Sequence, residues 1–271
     1  MDRQNMTPYA PAFTSFPAPV GRSVRKPRDS GLSSLLDYGL SLGAQRDLLE
    51  SAGPLIDIAK IATGTARVYD QSVLRRKLDT YRAHDVKTYM GGQFLEYAFA
   101  TGGISAAGRL FDEAAEVGFD IVEVSDTCRE LSLDVRGELI GMARERLLEV
   151  ACEVGRLSGG VGAEQLLDEA LALLEHDIGH LVIEGAELVG DGGAREDVIT
   201  LLAGRLELTR VIFELPALSV GGCGTAATEA VKRALVKAIG PDVNLANLGP
   251  DEIVETEVVR LGIEDWTAWP T

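Results

Sequence analysis

Residues 121–155 read IVEVSDTCRELSLDVRGELIGMARERLLEVACEVG. Two short apolar runs, IVEVSD (121–126) and LEVACEVG (148–155), flank an amphipathic stretch that opens on Ser132, a good helix N-cap. A buried strand, a helix and a second buried strand in that order form the unit from which parallel sheets are built. The same alternation extends in both directions. Upstream lie SSLLDYG (33–39), LIDIAKI (55–61) and VKTYMGG (86–92); downstream lie HLVIEG (180–185), RVIFELP (210–216) and VNLANL (243–248). The intervening segments carry helical periodicity, as in DQSVLRRKLDTYRAH after Asp70 and AEQLLDEALALLEHDIG with Leu166, Ala170, Leu173 and Leu174 on one face. Eight strand–helix pairs predict an α/β fold, a single (β/α)8 barrel of eight parallel strands over residues 29–271. An open doubly wound sheet is the alternative, weakened because no GxGxxG follows the first strand.

Residues 1–28 differ. They are rich in proline and hold Arg3, Arg22, Arg25, Lys26 and Arg28 against Asp2, a charge of +4. A flexible basic arm is expected there. The whole chain of 271 residues carries −16, so the remainder carries −20. Such a surface disfavours nucleic acid and anionic membranes as partners. No apolar run reaches the roughly 18 residues of a spanning helix, and MDRQNMTPYAPAFTSF lacks the apolar centre of a secretory signal. Three cysteines, Cys128, Cys152 and Cys223, form no metal or disulfide pattern, so a reducing cytoplasm is expected. A zinc pair of His176 and His180 is disfavoured because Gly179 interrupts the helix between them.

The strand ends carry the chemistry in a barrel, and here they are acidic. Asp37, Glu123, Asp126, Glu153, Glu184 and Glu214 close otherwise apolar runs. Carboxylates in apolar strands are costly unless paired or metal-bound. Without His or Cys beside them they suit a hard divalent cation such as Mg²⁺, and Glu123, Glu184 and Glu214 are the expected metal ligands. The competing expectation is a ring of structural ion pairs with Lys60, Lys87, Arg156 and Arg210. Lys60, in IDIAKIATGT, is a candidate general acid, Schiff base or anion anchor, with a plain salt bridge as the alternative. Glycine-rich turns follow three strands: MGGQ (90–93), GRLSGGVG (155–162) and SVGGCGT (219–225). The last runs into a helix and matches a common phosphate position. Asp37, Gly91, Gly92, Gly221, Gly222, Thr225, Asn244 and Asn247 are therefore the expected contacts for a small anionic organic acid.

Taken together, KPRDSGLSSLLDYGL, LIDIAKIATGTA, VKTYMGGQFLEYA, GFDIVEVSD, EVG, HLVIEGAE, VIFELP, VNLANL and EVVRLG resemble the phosphosulfolactate synthase family in order and spacing, from Lys26 to Gly262. The resemblance implies a (β/α)8 barrel, often a homo-oligomer, that uses Mg²⁺ to add sulfite to phosphoenolpyruvate. It implies catalytic work for Lys60, Glu153 and Arg156. Departures accompany it. Arg156 and Leu157 stand where the family has two lysines, one a plausible general acid, and Ala186 replaces an arginine. Arginine holds its proton too tightly to be an efficient acid. The alternatives are thus a true synthase, a divergent enzyme acting on a different, less anionic substrate in specialised metabolism, and a non-catalytic stress or interaction barrel.

Overall fold

The structure, a computed structural model, describes residues 12–18, 20, 22, 25–190, 193–216, 224–265, 267 and 269. Eight parallel strands close into a barrel in chain order: β1 (Ser33–Asp37), β2 (Ile58–Ile61), β3 (Lys87–Met90), β4 (Ile121–Val124), β5 (Glu149–Val154), β6 (His180–Ile183), β7 (Val211–Glu214) and β8 (Leu245–Leu248). The last strand returns to the first, pairing Ser33 with Leu245 and Leu35 with Leu248. The expected (β/α)8 barrel is the fold, and the open sheet is excluded.

Among the described residues the α-helices are α1 (Leu42–Ala52), α2 (Gln71–Ala83), α3 (Gly92–Val117), α4 (Leu133–Arg144), α5 (Ala163–Leu174), α6 (Glu196–Arg205), α7 (Thr225–Ile239) and α8 (Glu252–Arg260). Their starts follow local chemistry. Asp70 accepts the Ser72 N–H ahead of α2, and Ser132 accepts the Val135 N–H ahead of α4. One helix departs from its sequence reading. Periodicity places α3 from Ile104 onward, but it starts at Gly92 and bends at Gly102 and Gly103. A short ribbon, Val189–Gly190 against Gly193–Ala194, follows β6 and has no sequence signal.

Strand side chains alternate between the barrel interior and the helices. Cys152, Val154, Ile183 and Phe213 face outward into the large core shared with the helices. Ile58, Tyr89, Ile121, Ala151, Val182, Ile212 and Ala246, with Leu32, pack as a separate interior layer. Two residues further along five of those strands stand Lys60, Glu123, Glu153, Glu184 and Glu214. An apolar floor thus carries a charged layer at the C-terminal end.

The basic residues ahead of β1 meet the opposite end. Arg22 pairs with Glu257 at 2.7 Å, and Arg28 with Asp57 at 2.6 Å. The Lys26 ammonium donates to the carbonyls of Gly53, His84 and Asp85. Among the described residues no helix is long and apolar enough to cross a membrane.

Candidate active site

A cavity of about 280 Å³ opens at the C-terminal end of the strands. Lys60, Glu123, Glu153, Glu184, Glu214, Asn247, Gln93, Thr63, Thr127, Tyr38, Leu36 and Leu157 line it, with Gly91 and Gly92 at its edge. One oxygen from each of Glu123, Glu153 and Glu214 lies within 4.8 Å of the other two, and all three residues are buried. The Lys60 ammonium reaches Glu214 at 2.7 Å and Glu123 at 3.0 Å. Glu123 is further held by the Tyr89 hydroxyl and the Gly92 N–H. The Asn247 amide donates to Glu214 at 2.8 Å. Glu184 turns one oxygen back to the Ala186 N–H at 2.9 Å.

Charge is unbalanced here. Four carboxylates face Lys60, the sole cation lining the cavity among the described residues. Burial pushes the Glu153 carboxyl well above the ordinary range, and the Glu123 and Glu214 charges add to this. Burial, then Glu214, raises Glu184 to about 8. Burial works against the charge on Lys60, but Glu123, Glu214 and Glu153 outweigh it and hold the ammonium well above the free-lysine value. A set of hard carboxylate oxygens with surplus negative charge could hold a divalent cation.

The expected site residues distribute unevenly. Lys60, Glu123, Glu153, Glu184, Glu214, Asn247, Gly91 and Gly92 converge on the cavity. The tight trio contains Glu153 where the sequence suggested Glu184. Asn247 reaches inward because its backbone is left-handed, φ 61°, a conformation asparagine tolerates. Asp37 follows inward-facing Leu36, so parity turns it outward to Lys77 and the Tyr81 hydroxyl, each at 2.7 Å. Asn244 precedes β8 at the other end of the strands, where its amide donates to the Leu208 and Val211 carbonyls. Arg156 turns to Asp126 at 3.4 Å and does not line the cavity. Thr225 opens α7 on an exposed surface. Gly221, Gly222 and Cys223 lie outside the described residues. His180, set aside as a zinc ligand, faces Glu149 at 3.5 Å.

Tyr89, Gln93 and Thr127 carried no weight in the sequence reading. Tyr89 has a readable signal, since it sits two residues before Gly91 on the same strand parity as the cavity. Gly92 has a packing reason to be glycine. A Cβ there would stand 2.3 Å from the Ser125 hydroxyl and 2.9 Å from Glu123.

Residues 21–265 match the family model described as (2R)-phospho-3-sulfolactate synthase (ComA). The chain belongs to this family. It is 30% identical to the phosphosulfolactate synthase of Methanocaldococcus jannaschii over 244 residues, covering 86% of this chain and 92% of that protein. The enzyme of the same name from Methanothermobacter thermautotrophicus is 30% identical over 251 residues, covering 88% and 91%. That from Bacillus subtilis is 25% identical over 253 residues, covering 89% and 94%. Among solved structures, the carboxyl transferase domain of Rhizobium etli pyruvate carboxylase superposes with TM-score 0.57 at 13% identity, covering 84% of this chain and 41% of that one. The 3-hexulose-6-phosphate synthase of Salmonella typhimurium gives 0.53 at 16%, covering 85% and 98%. At such identities the likeness is one of fold. As a phosphosulfolactate synthase family member the protein is an enzyme of the lyase type, and the non-catalytic alternative is set aside.

Proposed function

We propose that the enzyme adds sulfite, or a related sulfur or carbon nucleophile, to a small enoyl acid such as phosphoenolpyruvate. The buried trio Glu123, Glu153 and Glu214 beside Lys60 carries this reading. The nucleophile's lone pair forms a bond to the methylene carbon, and the displaced π electrons move onto the carboxylate as an aci-carboxylate. A divalent ion held by the three glutamates would supply the positive charge that steadies that carboxylate. Lys60, kept charged by its neighbours, stabilises the same developing charge, and it could return a proton to C2 once a bound cation offsets the glutamate charges that tighten its hold on that proton. Tyr89 and Gly92 fix Glu123 from behind and Asn247 fixes Glu214, so these two need little reorganisation. The apolar floor closes the cavity from below.

A second reading concerns the acceptor. Phosphoenolpyruvate and sulfite together bring about five negative charges, and each charge-assisted bond lost at such a site costs about 1.5–3 kcal/mol. The cavity wall presents Leu157 and sends Arg156 to Asp126. This favours a less anionic enoyl acid. Purified enzyme with Mg²⁺ and sulfite, offered phosphoenolpyruvate and phosphate-free enoyl acids in parallel, tests both. Robust turnover of phosphoenolpyruvate alone removes the second reading, and loss of all turnover on chelation is expected under either. Absence of sulfite addition to any acceptor overturns the first.

A further inference from the structure

Glu96 is buried, 6% exposed, and has no part in the chemistry above. It lies on α3 one turn after Gly92 and grips the loop that follows β4. One oxygen accepts the hydroxyls of Ser125 at 2.6 Å and Thr127 at 3.2 Å. The other accepts the backbone N–H groups of Cys128 at 3.0 Å and Arg129 at 2.9 Å. The contact runs both ways, because Gly92 at the start of the same helix gives its own N–H to Glu123 on β4. Two cavity-lining residues, Gln93 on α3 and Thr127 in the loop, are carried by this clamp.

A buried carboxylate is expensive, and here four donors from one loop compensate it. Simple helix–loop packing needs no charge. A charge accepting from two hydroxyls and two adjacent amides fixes where that loop stands. We infer that Glu96 is a positioning residue that sets Thr127 and the Ser125–Arg129 turn as the cavity wall against which the acceptor's non-reacting end rests. The part concerning the acceptor rests on the function proposed above.

The chemistry of the clamp makes Gln the conservative variant. Its amide oxygen can accept the two backbone N–H groups, while its NH₂ donates to the hydroxyl oxygens, which rotate to accept. In Glu96→Ala, hydrogen exchange at the Cys128 and Arg129 amides should quicken about tenfold or more, because both lose their acceptor. For whichever acceptor the wild type turns over, KM should rise about tenfold, with kcat within about threefold and Mn²⁺ affinity within about twofold. Glu96→Gln should restore both exchange protection and KM. Unchanged exchange and KM in a folded Glu96→Ala protein, or failure of Glu96→Gln to restore them at unchanged melting temperature, overturns the assignment. Should Glu96→Ala not fold, Thr127→Val decides. It should raise KM and leave exchange at Cys128 and Arg129 slow, and an unchanged KM counts against the wall. If no acceptor is turned over, the functional reading falls on its own, and amide exchange still decides the clamp.

Discussion

At the N-terminal end of the barrel, Asp57 is gripped by Arg28 at 2.6 Å, Glu149 meets Lys87 at 2.5 Å and His180 at 3.5 Å, and Glu257 lies between Arg22 and Arg260. At the C-terminal end, Glu123, Glu153, Glu184 and Glu214 share Lys60. The larger cavity, about 530 Å³, is at the paired end, lined by Lys26, Arg28, Asp57, Lys87 and His180. The smaller one, about 280 Å³, is at the unpaired end. Size is therefore the weaker guide to chemistry. Carboxylates at the paired end have their charge met locally, whereas a surplus of buried negative charge is destabilising by itself and is the kind of site a divalent cation could occupy.

Substitution of Lys60 should separate the two ends most sharply. Lys60→Ala leaves four buried carboxylates with no ammonium. Turnover should fall about 10²–10³-fold through lost electrostatic stabilisation. Stability without divalent ions should fall by about 3–5 kcal/mol, the cost of breaking a buried pair, with millimolar Mg²⁺ recovering part of it. Denaturant melts with and without chelator measure this, and a Lys60→Ala enzyme of normal activity would show that the lysine only pairs. Arg28→Ala is the counterpart. Asp57 keeps the Ser33 N–H at 2.9 Å, so the loss should sit near about 3 kcal/mol, insensitive to Mg²⁺, with activity per folded molecule unchanged.

The two ends also differed in how well they could be read. Acids inside apolar runs are conspicuous, so Glu123, Glu153, Glu184 and Glu214 were visible in the sequence. Which three converge was not, because that follows from strand tilt around the closed ring and not from position along any one strand. Asp37 shows a second limit: a strand-end acid one residue out of parity faces a helix. Asn244 shows a third, since its run enters the barrel from the far end. The glycines of VKTYMGG suggested a turn for an anion. Gly92 instead allows α3 to start against β4, and its N–H is taken by Glu123. The N-terminal stretch reads as a flexible basic arm, and within it Arg22, Lys26 and Arg28 have partners 27–235 residues away along the chain that no local pattern reveals.

A milder test adds charge to the unpaired end. Leu157→Lys puts an ammonium on the cavity wall at one of the two positions where the family carries lysine. A charge-assisted bond to an anionic acceptor should raise kcat/KM for phosphoenolpyruvate about tenfold, with a smaller change for a phosphate-free enoyl acid. Equal gains for both would show that the cavity lacks charge in general and is not tuned to a less anionic substrate.

In the dependence of stability on pH the two ends carry opposite signs, and the acid limb is the smallest effect expected. The hydrogen bond from His180, and then that from Lys87, hold the Glu149 carboxyl at about 2, with burial opposing them. Its native pKa lies below the unfolded value of 4.5, so unfolding takes up a proton. The stability it contributes is complete above 4.5 and drains as the pH falls towards 2. Glu184 behaves oppositely. Burial and Glu214 raise it to about 8, so the native state binds the proton first. In chelator, stability should therefore decline as the pH rises from 4.5 towards 8. Solvent screening at half-buried Glu149 holds the acid limb to about 1 kcal/mol. Glu149→Gln should flatten the acid limb alone, and Glu184→Gln should reduce the neutral limb alone, with Glu153, which burial also raises, carrying the remainder. Millimolar Mg²⁺ should flatten the neutral limb in the unaltered protein, because a bound cation replaces the proton as the partner of the surplus charge. If Mg²⁺ flattened the acid limb instead, the ion would be binding among the carboxylates already paired at the other end.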